Sequence, residues 1–434
     1  MRWLLYNLLF TLAYLLLAPR FLLRMRRRGG YRARFADRFG RYPDDIAQRL
    51  RSLDRPVWIH AVSVGEVHVA AQVMAAIRER APSTRFVFST TSSTGWREAQ
   101  KRVTDDDTLI FYPLDFPPCV RRAFDAIRPA MLILTESEIW PNAIRTCHAR
   151  GIPLYLVNAR VSDKSAPGYR RLRLWFGPVL RMFTRIFAQS ALDRDRLLAA
   201  GADPAAIEVT GSFKFDTAAR APLQEAAARD FLERCGIGDG HTVLLGASTW
   251  PGEDAILIRI YARLRERFPA LRLVIVPRHF EKADAVQAEI ERAGFACIRK
   301  SKTPTPNFEL RTPNSIVLAD TTGELMGFHG NAHIVFVGKS LCEHGAQNMI
   351  EPCLCGAATL VGPHTENFRP VMADLLDAQT LIQVRDADEL EREIGRLLAD
   401  PAARAALGAR ATAAVQRRTG VVARVIDALG VAGT

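Results

Sequence analysis

Arg278 and His279 follow directly on the apolar run Leu273–Pro277, so a buried strand ends in a guanidinium fork suited to gripping phosphate. Further along, Asn348–Glu351 lead into a helix after the Gly345 loop, where free backbone N–H groups can face an anion. An Asn cap with Glu three residues later, the capping-box pattern, explains the same residues as well. Three glutamates stand in comparable places earlier in the chain. Glu66 opens a helix after the small turn Ser63–Gly65, while Glu136 and Glu138 precede Trp140-Pro141, where Pro141 suits a first helical turn. Taken singly, each reads as a helix-start acid favoured by the dipole, although a carboxylate in a closed site can also take a proton. Lys214, between Phe213 and Phe215, reads by itself as a solvated lysine.

The elements that must position these residues are short β-rich runs alternating with helical patterns, the mark of parallel α/β layers. Val57–Ala61, Arg85–Ser89, Leu109–Tyr112, Met131–Leu134, Leu154–Asn158 and Ile186–Gln189 are expected strands. Glu66–Arg80 is an expected helix with Val69, Val73, Met74 and Ile77 on one face. Thr217–Gly240 is rich in Ala and acidic residues, ends in CGIGDG and lacks strand runs, so it is expected to connect two domains. A second series follows, with strands at Thr242–Gly246, Leu273–Pro277, Ser315–Ala319, Ile334–Val337 and Ala358–Val361. Asp254–Phe268 and Glu281–Ala293 are helices between them, and helices from Ala387 onward finish the chain. The plan is an anchor at 1–28, a Rossmann-like domain at 29–216, a linker at 217–240 and a second Rossmann-like domain at 241–434. Two such halves in tandem, without a GxGxxG fingerprint at the start, predict an α/β fold of GT-B glycosyltransferase type with its site in the cleft between halves.

Charge points to a membrane and away from nucleic acid. The net charge is +13, and residues 1–42 hold ten arginines against one acid, Asp37, so +9 of it lies there. A nucleic-acid enzyme carries its basic residues along the working domains; here the excess follows an apolar segment, Trp3–Ala18, broken only by Asn7 and Thr11. That segment spans about 24 Å as a helix, short of a ~30 Å hydrocarbon core unless Phe21–Leu23 and snorkelling arginines extend it. A short span and an interfacial anchor both fit, and a buried N-terminal helix of a soluble enzyme is the remaining alternative. A cleaved signal peptide fits poorly, because Arg20, Arg24, Arg26, Arg27 and Arg28 lie after the apolar run. The positive-inside rule puts the arginine side in the cytoplasm. Seven scattered cysteines suit a reducing compartment. Cys353 and Cys355 stand too close for the usual zinc spacing and His344 and His364 do not complete one, so no metal and no cofactor are expected.

Six segments carry a resemblance to a known family: HAVSVGEV (His60–Val67), TESEIWPN (Thr135–Asn142), NARVSDKSAPGYRR (Asn158–Arg171), TGSFKFD (Thr210–Asp216), VPRH (Val276–His279), and a long run from DTTGEL (Asp320–Leu325) through GAQNMIEP (Gly345–Pro352) to GPHTENF (Gly362–Phe368). In this order and spacing the chain resembles the bacterial 3-deoxy-D-manno-octulosonic acid (Kdo) transferases of lipid A biosynthesis. The resemblance implies transfer of Kdo from CMP-Kdo to a lipid A precursor at the cytoplasmic face of the inner membrane. The first domain would then be the acceptor side and the second the nucleotide-sugar side. It implies Glu66 as catalytic base, Glu136 in transition-state support and Lys214 in the active site. For CMP it implies Pro277, Arg278, Thr322, Gly323, Glu324, Asn348, Met349, Ile350 and Glu351, with Glu351 accepting from ribose hydroxyls. Several positions depart from the family pattern: Thr322 replaces Met, Lys339 a second glycine, Gln347 His, Met349 Pro and Trp250 His. The expected partners are CMP-Kdo, a lipid A precursor and an anionic membrane surface. The alternatives are a GT-B enzyme using another nucleotide sugar and a non-catalytic membrane-bound sugar-nucleotide binder.

Overall fold

The structure, a computed structural model, describes residues 2–28, 34–220, 224–303 and 314–430. The first sheet contains β1 (Val57–His60), β2 (Phe86–Thr90), β3 (Thr108–Phe111), β4 (Met131–Thr135), β5 (Leu154–Ala159), β6 (Arg185–Ala188) and β7 (Ile207–Val209). Their order is β3-β2-β1-β4-β5-β6-β7, parallel throughout. Side chains alternate between two cores: Trp58 of β1 points into one with Leu132 and Phe124, while Val57 and Ile59 point into the other with Phe88 and Val73. Coverage on both faces is why these strands read as unbroken apolar runs.

The second sheet contains β8 (Thr242–Thr249), β9 (Leu271–Pro277), β10 (Ala296–Arg299), β11 (Ser315–Leu318), β12 (Ile334–Val337), β13 (Ala358–Val361) and β14 (Ile382–Gln383). Its order is β10-β11-β9-β8-β12-β13-β14, again parallel. In each sheet the winding reverses once, between β1 and β4 and between β8 and β12. Ligands of open parallel sheets bind at the carboxyl ends of the strands flanking such a reversal.

The compact units fall elsewhere than the expected boundaries. One runs to Phe213 and takes back the chain from Gly420, whereas the other is Lys214–Thr419. The expected linker is largely helical: Lys214–Arg220 and Glu225–Arg234 flank residues 221–223, which lie outside the described residues. Phe215, Ala218, Ala228, Phe231 and Leu232 belong to a core of the second unit, so this segment is folded domain. The last helix, Val421–Leu429, packs Val421, Val422, Val425, Ile426 and Leu429 against Val73 and Ile77 of the first unit. Burial on that scale contributes roughly 1.5–3 kcal/mol per large side chain. Arg80 and Asp427 pair at 2.6 Å beside it.

The N-terminal helix, Arg2–Arg28, shows two faces. Trp3, Tyr6, Asn7, Phe10 and Tyr14 recur at helical spacing and dock on the first unit. Tyr6 donates to Asp115 Oδ2 at 2.8 Å, Asn142 donates to Asn7 Oδ1 at 2.7 Å, and Phe10 and Tyr14 lie against the Phe116 ring. Leu4, Leu5, Leu8, Leu12, Leu15 and Leu16 are exposed. Arg2–Arg20 is long and apolar enough to cross a membrane.

Candidate active site

At the β1–β4 reversal the sequence folds around Ser63, whose extended backbone ends the turn and whose Oγ caps the helix Val64–Arg80 by accepting from Glu66 N at 3.3 Å. Glu66 returns the contact, accepting from Ser63 Oγ at 2.8 Å and from Val62 N at 3.0 Å. The Thr135 hydroxyl, at the end of β4, lies 3.1 Å from Glu66 Oε2 and 3.0 Å from His60 O. Glu66 is thus a nearly buried carboxylate held by a reciprocal cap.

Glu138 stands in the turn after β4. It accepts from Trp140 Nε1 at 2.9 Å and lies 3.8 Å from His60 Nε2. Burial, reinforced by the charge of Glu66, pushes its carboxyl up to about 7. His60 is fully buried, which lowers it to about 3 and keeps the ring neutral. With Nδ1–H assigned to Ser89 O at 3.0 Å, Nε2 presents a lone pair toward Glu138. Glu136 takes another posture. Its φ is +52°, and its carboxylate pairs with Arg160 Nε at 2.8 Å. Three acids therefore gather at one sheet end, but in three different settings.

In the second unit a pocket of about 280 Å³ opens at the β8–β12 reversal, lined in part by Ser248, Arg278, Gly323, Gln347, Asn348 and Glu351. Four expected donor residues, Arg278, Gly323, Asn348 and Glu351, thus share one cavity. Pro277 closes β9 beside it and Thr322 is exposed. Glu324 instead bonds Lys300 Nζ at 2.7 Å, a pairing that holds its carboxyl below the ordinary value even though burial opposes it. Met349 and Ile350 are fully buried in the core, so their side chains do not reach the cavity. The Ile350 N–H is not free for an anion, because Asn348 Oδ1 accepts it at 3.1 Å; the Asn348 amide donates to Glu351 Oε1 at 2.9 Å. Lys214 begins the helix Lys214–Arg220, donates from Nζ to Asn367 O at 3.1 Å and sits 3.8 Å above the Phe368 ring.

Three features escaped the sequence reading. His329 lines the same cavity, is fully buried, and neither ring nitrogen has a hydrogen-bond partner among the described residues; Nε2 lies 3.7 Å from Glu351 Oε2. Burial lowers the imidazole to about 3 and raises the Glu351 carboxyl. Glu253, fully buried, accepts backbone N–H bonds from Trp250, Lys339, Ser340 and Leu341 at 2.8–3.0 Å and so ties β8 to the loop after β12. That loop approaches so closely that a Cβ on Gly338 would meet Ser248 O at 2.3 Å. Finally, His344, His364 and Glu366 bring ligand-capable atoms within 4.8 Å of one another, a set completed by a carboxylate that the cysteine-centred reading did not consider.

Two departures from the family pattern meet in space. Lys339 has φ +58°, a left-handed conformation that glycine adopts freely, and its Nζ lies 4.7 Å from the ring centroid of Trp250.

A family profile described as 3-Deoxy-D-manno-octulosonic-acid transferase (kdotransferase) matches residues 33–217. The 3-deoxy-D-manno-octulosonic acid transferase of Bordetella pertussis is 35% identical over 97% of this chain and 98% of its own length. That of Haemophilus influenzae is 30% identical over 92% of this chain and 91% of its own. Among solved structures, a UDP-GlcNAc 2-epimerase from Neisseria meningitidis aligns over 85% of this chain and all of its own with a TM-score of 0.54 at 14% identity, a likeness of fold alone. Two parallel α/β domains of the GT-B kind, together with relatives at this identity over nearly full length, place the chain in the Kdo transferase family of glycosyltransferases.

Proposed function

We propose that this chain transfers Kdo from CMP-Kdo to a hydroxyl of a glucosamine-based lipid A precursor, with release of CMP. The observation that carries the donor side is the convergence of Arg278, Gly323, Asn348 and Glu351 on one cavity at the sheet reversal. An arginine fork there offers charge to the nucleotide phosphate, and Glu351, with His329 beside it, offers acceptors for ribose hydroxyls. The acceptor hydroxyl attacks the anomeric carbon of Kdo as the bond to the CMP phosphate oxygen breaks, and in-line attack inverts that centre. The hydroxyl proton passes to a carboxylate in the first unit. Glu66 is that base in the primary reading. A second reading assigns the proton to Glu138, favoured by one observation: its carboxyl is poised at about 7, whereas Glu66 already accepts from Val62 and Ser63. Lys214 and Arg278 supply positive charge for the Kdo carboxylate and the departing phosphate, and Glu136, held by Arg160 at 2.8 Å, supports the transition state.

The exposed leucines of Arg2–Arg28 and its arginines support attachment to the cytoplasmic face of an anionic inner membrane. Because the opposite face is hydrogen-bonded to Asp115 and Asn142, an in-plane helix accounts for both faces better than a free-standing span does. Mass spectrometry of a lipid A precursor incubated with CMP-Kdo and the protein tests the whole reading. A mass increase of one or more Kdo units with CMP release is expected, and an unchanged precursor rejects it.

A further inference from the structure

A second cavity, of about 430 Å³, lies wholly within the first unit between the N-terminal helix and the helix Arg173–Leu180. Trp3 and Leu9 form one wall, Phe176, Val179 and Met182 the other, and Pro141 closes it. This lining offers an extended peptide no sheet edge to pair with, so the ligand it fits is a flexible chain that needs no hydrogen bonds. The surroundings say where that chain comes from. Of the lining residues, Leu172 and Trp175 on one side and Leu9 of the N-terminal helix on the other are exposed, as is Leu174 between the first two in the chain. Arg2 lines the pocket, and Arg171 and Arg173, both exposed, flank the lining residue Leu172 in the chain. An apolar plane rimmed by arginines matches a lipid whose phosphate sits at the rim and whose chain goes inside. Pro141 also ends the turn that begins at Thr135 and carries Glu136 and Glu138. The pocket wall is thus continuous in the chain with the turn that holds two of the acids of the first unit.

We propose that this pocket seats one acyl chain of the lipid acceptor and so selects acylated glucosamine acceptors over soluble sugars; this rests on the acceptor reading given above. A water-sized group takes about 30 Å³ in the liquid, so the cavity accommodates a chain on the order of a dozen methylenes. The seat acts on acceptor affinity and leaves the chemical step to the carboxylates.

The test fills the pocket in the full-length protein with Met182→Trp and, independently, with Leu9→Trp, which lies on an exposed helix face and spares the core. Initial rates are measured with a long-chain acylated glucosamine phosphate and with its short-chain analogue. Both variants should raise KM for the long-chain acceptor by about tenfold or more, roughly the loss of two buried methylenes, while kcat and the short-chain KM stay within about twofold. Equal KM values for wild type and variants, or equal rises with both acceptors, overturn the proposal. Native mass spectrometry with the long-chain acceptor alone separates this from the parent reading: if wild type transfers no Kdo yet retains the lipid and the variants lose it, the seat stands and the reaction assignment falls. Retention by the variants sinks the seat regardless of activity.

Discussion

Ser63 and Glu66 cap one another: the Ser63 hydroxyl donates to Glu66 Oε1 at 2.8 Å and accepts from the Glu66 N–H at 3.3 Å. The residue proposed as catalytic base is therefore also a structural partner of its own helix, and the two roles need separate variants. Glu66→Gln should lower turnover by at least ~100-fold, the low end of general-base contributions, with CMP affinity unchanged. Ser63→Ala removes the cap and keeps the carboxylate, so it should cost ~0.5–2 kcal/mol of stability with a far smaller loss of rate. Transfer rates and melting temperatures of both variants check this. Near-normal turnover by Glu66→Gln moves the base assignment to Glu138.

Glu138 gives stability a pH signature. Its carboxyl rises from 4.5 to about 7 on folding, mainly through burial, with the charge of Glu66 second. Between those values the folded chain holds a proton that the unfolded chain has released. The group's contribution is thus fully present below pH 4.5 and is lost as pH rises through about 7. Asp115 and Asp254, raised by burial to about 7 and about 6, act in the same direction, so the wild-type profile alone is not diagnostic. The difference between wild type and Glu138→Gln is: wild type should lose melting temperature relative to the variant from pH 4.5 to 7 and run parallel above it. A difference that stays flat across that window would show that Glu138 does not hold the proton.

The donor cavity predicts opposite effects on stability and binding at one residue. His329 is buried with both ring nitrogens unpaired among the described residues, a cost of ~1–3 kcal/mol that an apolar residue avoids. His329→Leu should therefore melt higher without nucleotide yet bind CMP more weakly. Arg278→Ala should lose ~1.5–3 kcal/mol of CMP binding, and Glu351→Gln should weaken it through the ribose. Calorimetry with CMP decides; unchanged affinity in all three variants would move the nucleotide to another site.

Glu253 should be among the more costly single truncations in the second unit. Replacing it with Ala strands the N–H groups of Trp250, Lys339, Ser340 and Leu341, and the expected loss is at least ~3 kcal/mol. Glu253→Gln keeps one strong acceptor and should lose less. Denaturant unfolding of the two variants gives the comparison.

The central strands were legible because both their faces are buried. The missed ones, β7, β10 and β14, are edge strands of a few residues whose partial exposure erases the apolar run. The return of Val421–Leu429 to the first unit had no local signal, since its apolar stripe fits any core. At the site, Arg278 was visible as a motif residue at a strand end and Glu351 as one at a helix start, whereas His329 sits in the short helix Leu325–Gly330 and only folding turns it into the cavity. Lys339 and Trp250 looked like unrelated departures until folding brought them together; nothing in their separation along the chain marks the contact.

Removing residues 1–28 should do two things at once. The exposed leucines leave with the helix, so binding to anionic vesicles at high salt should be lost. The same deletion withdraws Tyr6 from Asp115 and Asn7 from Asn142, and strips Phe10 and Tyr14 from the Phe116 ring. Asp115 still caps the helix Pro141–Ala149 through the N–H groups of Asn142 and Ala143, both at 2.9 Å, so the first unit should stay folded but melt lower. Tyr6→Phe separates the effects. It deletes one partly buried hydrogen bond to a carboxyl group, costing ~0.5–1.5 kcal/mol, and leaves the leucine face intact. Vesicle sedimentation should therefore be normal for Tyr6→Phe and absent for the deletion, while both melt below wild type. A deletion variant that melts like wild type would show that the helix does not dock on the domain, and one that still sediments would remove it as the anchor.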